Sequence, residues 1–242
     1  MCLRMLIFFR GIFMKLICYF SKEERTLWCA SIALILLSFF LFDRSNYLTL
    51  AASLIGATSL IFNAKGNPIG QILMVIFSLL YGIISYTFCY YGEMITYLGM
   101  TMPMAVIALI AWLKHPYQGN LAEVQVNTIS KKETVWMMMV TAGVTALFYF
   151  ILKAFHTANL LPSTLSVTTS FLAVYLTYRR SPWFALCYAA NDIVLILLWI
   201  LASMEQPRYL SVVVCFLAFL VNDLYGYLNW KKMQKKQEKS DV

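Results

Sequence analysis

Charge is what this chain has least of. Of its 242 residues only 12% are charged, while 61% are hydrophobic. A soluble domain carries about 25% charged and about 45–50% apolar residues. That imbalance excludes a soluble globular enzyme, a disordered chain, a coiled coil and a disulfide-rich secreted module. Cysteine pairing is missing too. Cys2, Cys18, Cys29, Cys89, Cys187 and Cys215 form no C-x-x-C pair or metal-site spacing, and most sit inside apolar runs. They read as small core hydrophobes. The two histidines, His115 and His156, both fall at predicted connections, on opposite sides of the membrane. No H-E-x-x-H, no Ser/Lys catalytic signature and no G-x-x-x-x-G-K-[ST] loop occurs. No metal or cofactor is therefore expected, and a membrane-embedded enzyme is the weaker reading.

What is present is a series of long apolar runs, with mean hydropathy +0.73. A helical span takes about 20 residues. The runs at 25–42, 47–63, 68–89, 93–113, 134–154, 159–178, 182–202 and 209–230 give eight spans. They lack the alternation a barrel needs, and only helices and closed barrels satisfy the backbone in lipid. The fold class is thus all-α, a polytopic membrane helix bundle. Residues 1–24 are apolar but broken by charge. Arg4, Gly11, Lys15 and Lys22 share one helical face, which predicts an interfacial amphipathic helix rather than a signal peptide.

The net charge of +8 follows from topology and implies no nucleic-acid partner. With the N-terminus inside, the inner segments hold Arg4, Arg10, Lys15, Lys22, Arg25, Lys65, Lys114, Lys131, Lys132, Arg179, Arg180 and the lysines of the tail. That leaves Arg44, Lys153 and Arg208 outside. This is the bias expected of a cell-membrane protein with both termini cytoplasmic. The long connection 114–133 is then cytoplasmic, and 231–242 is a basic cytoplasmic tail.

A weak internal repeat divides the spans. A shift of 118 residues sets Trp112 on Trp230, Leu80 on Leu198 and Tyr81 on Trp199. The expectation is one three-helix repeat over 47–113, a second over 159–230, and a linker helix at 134–154. A single linker span makes the two repeats parallel, as in some transporters. The span at 25–42 is an extra N-terminal helix.

Polar residues inside spans are costly and usually face the bundle interior. Asp192 and Asp223 are two such acids, each following an asparagine, Asn191 and Asn222. At 100° per residue Tyr188, Asp192 and Trp199 share a stripe. So do Asp223, Tyr227 and Trp230; Gln71, Ser78 and Ser85; and Tyr97 and Thr101, just before a kink expected at Pro103. This aromatic, amide and hydroxyl lining suits a flat hydrogen-bonding organic solute better than a bare ion. Plainer readings stand beside it. Trp112 and Trp230 sit where interface anchors sit. The serines and asparagines match interhelical glue, Gln71 matches helix packing, and the aspartates match structural hydrogen bonding.

Several strings resemble the PnuC family of vitamin transporters, chiefly for nicotinamide riboside. They are Gly66-Asn67-Pro68-Ile69-Gly70-Gln71, Leu80-Tyr81-Gly82, Tyr90-Tyr91-Gly92-Glu93, Pro103-Met104 and Ala111-Trp112. In the second half they are Tyr188-Ala189-Ala190-Asn191-Asp192-Ile193 and the run from Asn222 to Trp230. The resemblance covers about 45–232. It implies a SWEET-like three-plus-one-plus-three arrangement around a central site. It also implies facilitated diffusion, made directional by a cytoplasmic kinase that phosphorylates the substrate without necessarily binding the carrier. The expected substrate-binding set is Gln71, Ser78, Tyr81, Ser85, Tyr97, Thr101, Phe184, Tyr188, Asn191, Asp192, Trp199, Asn222, Asp223 and Tyr227. One departure stands out. The family's W-x-x-W-x-x-x-N pattern keeps Asn191 but has Phe184 and Cys187 at the tryptophan positions, with Trp183 one residue displaced. Thiamine, riboflavin and deoxynucleosides thus stay open as substrates. Membrane lipid is the other expected partner, and a homo-oligomer is left open.

Overall fold

The computed structural model describes residues 19–87, 91–157 and 159–240. The amphipathic reading of 1–24 falls mostly outside them. Among the described residues eight helices are long and apolar enough to cross a membrane. They are α1 (Lys22–Phe42), α2 (Tyr47–Ala64), α3 (Ile69–Thr87), α4 (Tyr91–Lys114), α5 (Lys131–Ala154), α6 (Leu160–Tyr178), α7 (Trp183–Glu205) and α8 (Leu210–Ser240). A short 3₁₀ turn, Pro207–Tyr209, leads into α8. The protein is an all-α, multi-pass membrane protein.

Local chemistry sets the helix ends. Ser21 caps α1, its hydroxyl accepting from the Glu24 N–H at 3.2 Å while Glu24 accepts from the Ser21 N–H at 2.7 Å. Glu24 also pairs with Lys65 at 3.1 Å, which fastens α1 to the end of α2. The helix therefore begins at Lys22, three residues before the apolar run. The kink expected at Pro103 takes the form of a π-helical turn over Tyr97–Thr101, where the Met102 N–H reaches back five residues to the Tyr97 carbonyl. Such single wide turns recur at functional sites.

The helices pack as two groups with reciprocal contacts. In one, α3 packs between α2 and α4; in the other, α7 packs between α6 and α8. The groups meet where α8 packs on α2 and where α4 packs on α6. The corners leading into α3 and α7 are built alike. Gly66 (φ 65°) and Arg180 (φ 58°) both take the left-handed conformation. The Asn67 N–H returns to the Phe62 carbonyl and the Ser181 N–H to that of Leu176, each at 3.0 Å. Pro68 and Pro182 follow. The corners correspond at a shift of 114, four less than the tryptophan pair. In α3 and α7 this register sets Ser85, not Tyr81, against Trp199. Gly70 lets α3 leave its corner tightly, for a Cβ there would lie 2.1 Å from Asn63 Oδ1 and 2.7 Å from the Asn63 backbone nitrogen.

Trp112 and Trp230 are not interface anchors. They are 1% and 0% exposed, with ring centroids 5.4 Å apart. The Trp112 indole donates to the Thr177 carbonyl of α6 at 2.9 Å, and the Trp230 indole to the Asn63 carbonyl of α2 at 2.7 Å. Last-turn carbonyls lack an intrahelical donor, and here each group's final helix supplies one to the other group's first.

Two predicted segments take firmer shape than expected. The connection after α4 is a small antiparallel hairpin, Pro116–Tyr117 with Asn120–Val124. From it the Val124 N–H bonds the Gly66 carbonyl and the Asn127 N–H the Arg180 carbonyl, both at 3.0 Å. It thus ties both corners. The tail after Trp230 continues α8 to Ser240, because Met233 and Gln237 bury against this connection. Gln237 accepts from the Val126 N–H at 2.8 Å and donates to Glu123 and the Val124 carbonyl. Among the cysteines Cys215 is buried, Cys187 half-buried and Cys29 exposed on α1. Cys29 is therefore not a core residue; Cys2, Cys18 and Cys89 lie outside the described residues.

Candidate substrate site

Between the groups lies an aromatic cluster. Tyr81 of α3 and Tyr97 of α4 have ring centroids 4.5 Å apart. Phe77 approaches Tyr97 at 5.9 Å, and Trp199 of α7 meets Tyr81 edge-on at 6.5 Å. All four are buried. The wide turn beginning at Tyr97 also buries Thr101. Ser78 and Ser85 lie on the buried face of α3, 0% and 1% exposed. Their hydroxyls and that of Tyr81 make no hydrogen bond of ordinary length. That is uncommon for buried polar atoms; Ser85 and Tyr81 reach Glu93 of α4 only through longer bonds, and Ser78 shows no interhelical bond.

Three acids flank the cluster. Asp192 of α7 and Asp223 of α8 face each other, 4% and 5% exposed, and Asp192 Oδ2 has no hydrogen-bond partner. The third is Glu93 in the first turn of α4, 9% exposed, with no hydrogen bond of ordinary length to either carboxylate oxygen. It faces the Tyr81 and Ser85 hydroxyls, and Tyr97 lies near both Glu93 and Asp192. Sequence reasoning missed Glu93 as a site residue, because it stands at the end of an apolar run where acids are usually solvated. The signal available was its place on the same face of α4 as Tyr97, one turn away. Two small adjoining cavities, the larger of about 50 Å³, share Glu93, Ser163 and Leu198. They open between Thr157, Asn159 and Glu205, at the membrane face opposite the hairpin.

The structure does not bring the whole expected set together. Tyr81, Ser85, Tyr97, Trp199, Asp192 and Asp223 converge, and Ser78 and Thr101 are buried on the same helices. Gln71 instead donates to Asn63 Oδ1 at 2.9 Å, bracing the α2–α3 corner. Asn191 accepts from Ser166, Thr169 and Ser170 of α6 at 3.2, 2.9 and 3.1 Å, and so binds α7 to α6. Asn222 donates to Ser31 of α1 at 2.8 Å and to the Ala218 carbonyl at 2.7 Å. Packing has thus taken up the Gln71 amide, the Asn191 oxygen and the Asn222 amide nitrogen, while the Asn222 Oδ1 stays buried with no partner. Phe184 belongs to the plug at the hairpin end, 4.9 Å from the Trp230 ring and 6.5 Å from Trp112. Tyr188 lies between plug and centre, near Phe184, Asp192 and Asp223. Tyr227 is half-buried against the same tryptophan cluster and packs on Trp183 at 5.5 Å. Trp183 is 47% exposed, so its indole does not replace the missing inward tryptophans.

The family model described as nicotinamide mononucleotide transporter matches residues 46–232. The chain belongs to that family. It is a membrane transporter rather than an enzyme. A curated relative from Neisseria mucosa, named nicotinamide riboside transporter PnuC, is 30% identical over 203 residues, 81% of this chain and 76% of its own. Another of the same name from Haemophilus influenzae is 25% identical over 221 residues, 89% of this chain and 92% of its own. The crystal structure titled the vitamin B3 transporter PnuC is similar with a TM-score of 0.79 and 23% identity, covering 90% of this chain and 94% of the other. At that identity the match establishes the fold, the helix bundle seen here.

Proposed function

We propose that this protein imports nicotinamide riboside, or a closely related nucleoside-like vitamin, across the cell membrane. The observation that carries the reading is the name shared by two curated relatives, joined to a buried site of matching chemistry. Tyr81, Tyr97 and Trp199 offer ring faces, and Ser78, Ser85 and Thr101 offer hydroxyls for a sugar and an amide. Three buried acids with no salt bridge among the described residues suit a cationic pyridinium ring.

Transport proceeds by alternating access, the two helix groups acting as parallel three-helix repeats that rock about this site. The like-built corners and the reciprocal tryptophan bonds support that division. A cavity of about 50 Å³ is smaller than a nucleoside, so the groups must separate to admit one. Both termini lie in the cytoplasm, on the side of the hairpin and its basic residues. Flux is facilitated diffusion, and a separate cytoplasmic kinase traps the substrate by phosphorylation. Membrane lipid surrounds the bundle, and homo-oligomers are compatible with the exposed face of α5, where Val135, Met139 and Phe150 are more than half exposed. Phe184 and Cys187 stand where the family pattern has tryptophans, and both pack at the hairpin-end cluster; that departure keeps thiamine, riboflavin and deoxynucleosides as competitors.

The test is uptake of labelled nicotinamide riboside into liposomes holding the purified protein, with a nicotinamide riboside kinase and ATP enclosed or absent. Equilibration without an ion gradient, and accumulation only with the kinase, is the expected result. Uptake of a competitor alone would transfer the reading to that vitamin. No uptake by folded protein would overturn it.

A further inference from the structure

Glu93 has a role that neither the motif nor the helix packing explains. Its carboxylate is about nine-tenths buried, yet both oxygens lack a hydrogen bond of ordinary length. The polar groups beside it are the Tyr81 and Ser85 hydroxyls, 4% and 1% exposed, which reach it only through bonds longer than ordinary and bring no charge. An isolated buried carboxylate is expensive unless a counter-charge reaches it. Among the described residues none is available. The salt bridges, Glu24–Lys65, Glu133–Arg179 and Glu123–Lys236, all lie at the hairpin end. The cavities that reach Glu93 have no Lys, Arg or His in their walls, and a second acid, Glu205, stands at their mouth. Gly92 keeps the approach close, because a Cβ there would meet Leu152 at 2.5 Å and Thr157 at 2.9 Å.

We infer that Glu93, with the Tyr81 and Ser85 hydroxyls, forms an entry subsite for an organic cation on the face opposite the hairpin. The carboxylate supplies the counter-charge, and the Tyr81 and Tyr97 rings supply π-faces 4.5 Å apart beside it. Glu205 gives the mouth the sign that draws a cation inward. The inference rests on the proposed substrate in one respect: nicotinamide riboside is an N-glycosylated pyridinium with a permanent positive charge. Its dihydro form has the same outline and no charge. The rival occupant of the carboxylate is a proton, and the glutamine variant mimics that state.

The experiment is equilibrium binding to the purified full-length protein with four probes. Nicotinamide riboside and thiamine are cations; dihydronicotinamide riboside and riboflavin are neutral. Wild type is expected to bind nicotinamide riboside well above its dihydro form. Glu93→Gln is expected to weaken cation binding at least about tenfold, about 1.4 kcal/mol, and to change binding of the neutral form less than threefold. Glu93→Asp keeps the charge and is expected to retain most of the affinity. Equal weakening of both forms, or no weakening, overturns the subsite, and unchanged or tighter cation binding assigns the carboxylate to a proton. If thiamine alone binds and depends on Glu93, the cation subsite stands and the nicotinamide riboside reading fails. If wild type binds only neutral probes, or none, the subsite is overturned. Should Glu93→Gln not fold, wild-type preference for a cation over its neutral counterpart decides the matter.

Discussion

The two buried tryptophans give the sharpest test of how the helix groups are joined. Trp112→Phe and Trp230→Phe each delete an indole N–H that caps a helix-end carbonyl, at 2.9 and 2.7 Å. A hydrogen bond of this kind is worth about 0.5–1.5 kcal/mol net, and the smaller ring leaves a void whose loss adds about 1 kcal/mol. Neither carbonyl is orphaned, since the Arg180 N–H and Gly66 N–H also reach them at 3.0 and 2.9 Å. The expected cost is therefore about 1.5–2.5 kcal/mol per variant rather than more. For a chain of this size that lowers Tm by roughly 3–10 °C. The rings lie 5.4 Å apart and tilted, so the double variant should depart from additivity by about 0.5–1.5 kcal/mol. Thermal unfolding of the purified protein in one detergent reads all three values. Trp136→Phe is the control, because that ring is 53% exposed on α5. Single variants indistinguishable from the control, or strict additivity, would refute the reciprocal tie.

Other outcomes follow from named contacts. Gly70→Ala places a methyl 2.7 Å from a backbone nitrogen and should destabilise by about 1–3 kcal/mol or abolish folding, read as loss of monodisperse protein. Asn191→Leu removes an acceptor shared by three hydroxyls of α6. It should lower Tm by an amount equivalent to about 1–2 kcal/mol, because Thr169 keeps the Leu165 and Ser166 carbonyls at 3.0 Å. Gln237→Ala should open the hairpin to limited proteolysis at neutral pH, where wild type resists, since it deletes three bonds. Asp43, in the α1–α2 connection, has its carboxyl raised above the usual range by burial, which outweighs the nearby Arg208. A raised carboxyl favours the folded state only when protonated, so Asp43→Asn should be more stable than wild type at pH 7. The gap should close as pH falls through the range where Asp43 protonates; a gap that widens on acidification would contradict the sign.

Much of the candidate site could be named from the sequence, though not its arrangement. The helical stripes on α3 and α4 brought Ser78, Ser85, Tyr97 and Thr101 forward, and all four are buried. The same periodicity offered Gln71, Asn222 and Tyr227, which the structure commits elsewhere. An asparagine amide on a helix face reads identically whether it meets a ligand or, like Asn191, three hydroxyls of the next helix. Glu93 was hidden for the converse reason. Its neighbours are Tyr81 and Ser85 of α3 and the cavity residues Thr157, Ser163 and Leu198, the last three more than sixty residues further along the chain.

The number of spans, the helical class and the grouping of basic residues at one face were properties of the chain taken one segment at a time. An apolar run of about 20 residues has one solution in a bilayer, whatever its neighbours do. Tertiary structure decided everything that depends on pairs. It buried Trp112 and Trp230 as mutual caps rather than anchors and turned Trp183 outward. It extended α8 past its apolar run against a hairpin, and it set the Tyr81 and Ser85 hydroxyls against the buried Glu93. Transfer from water to lipid is a property of each segment, whereas hydrogen-bond satisfaction is a property of which helices meet.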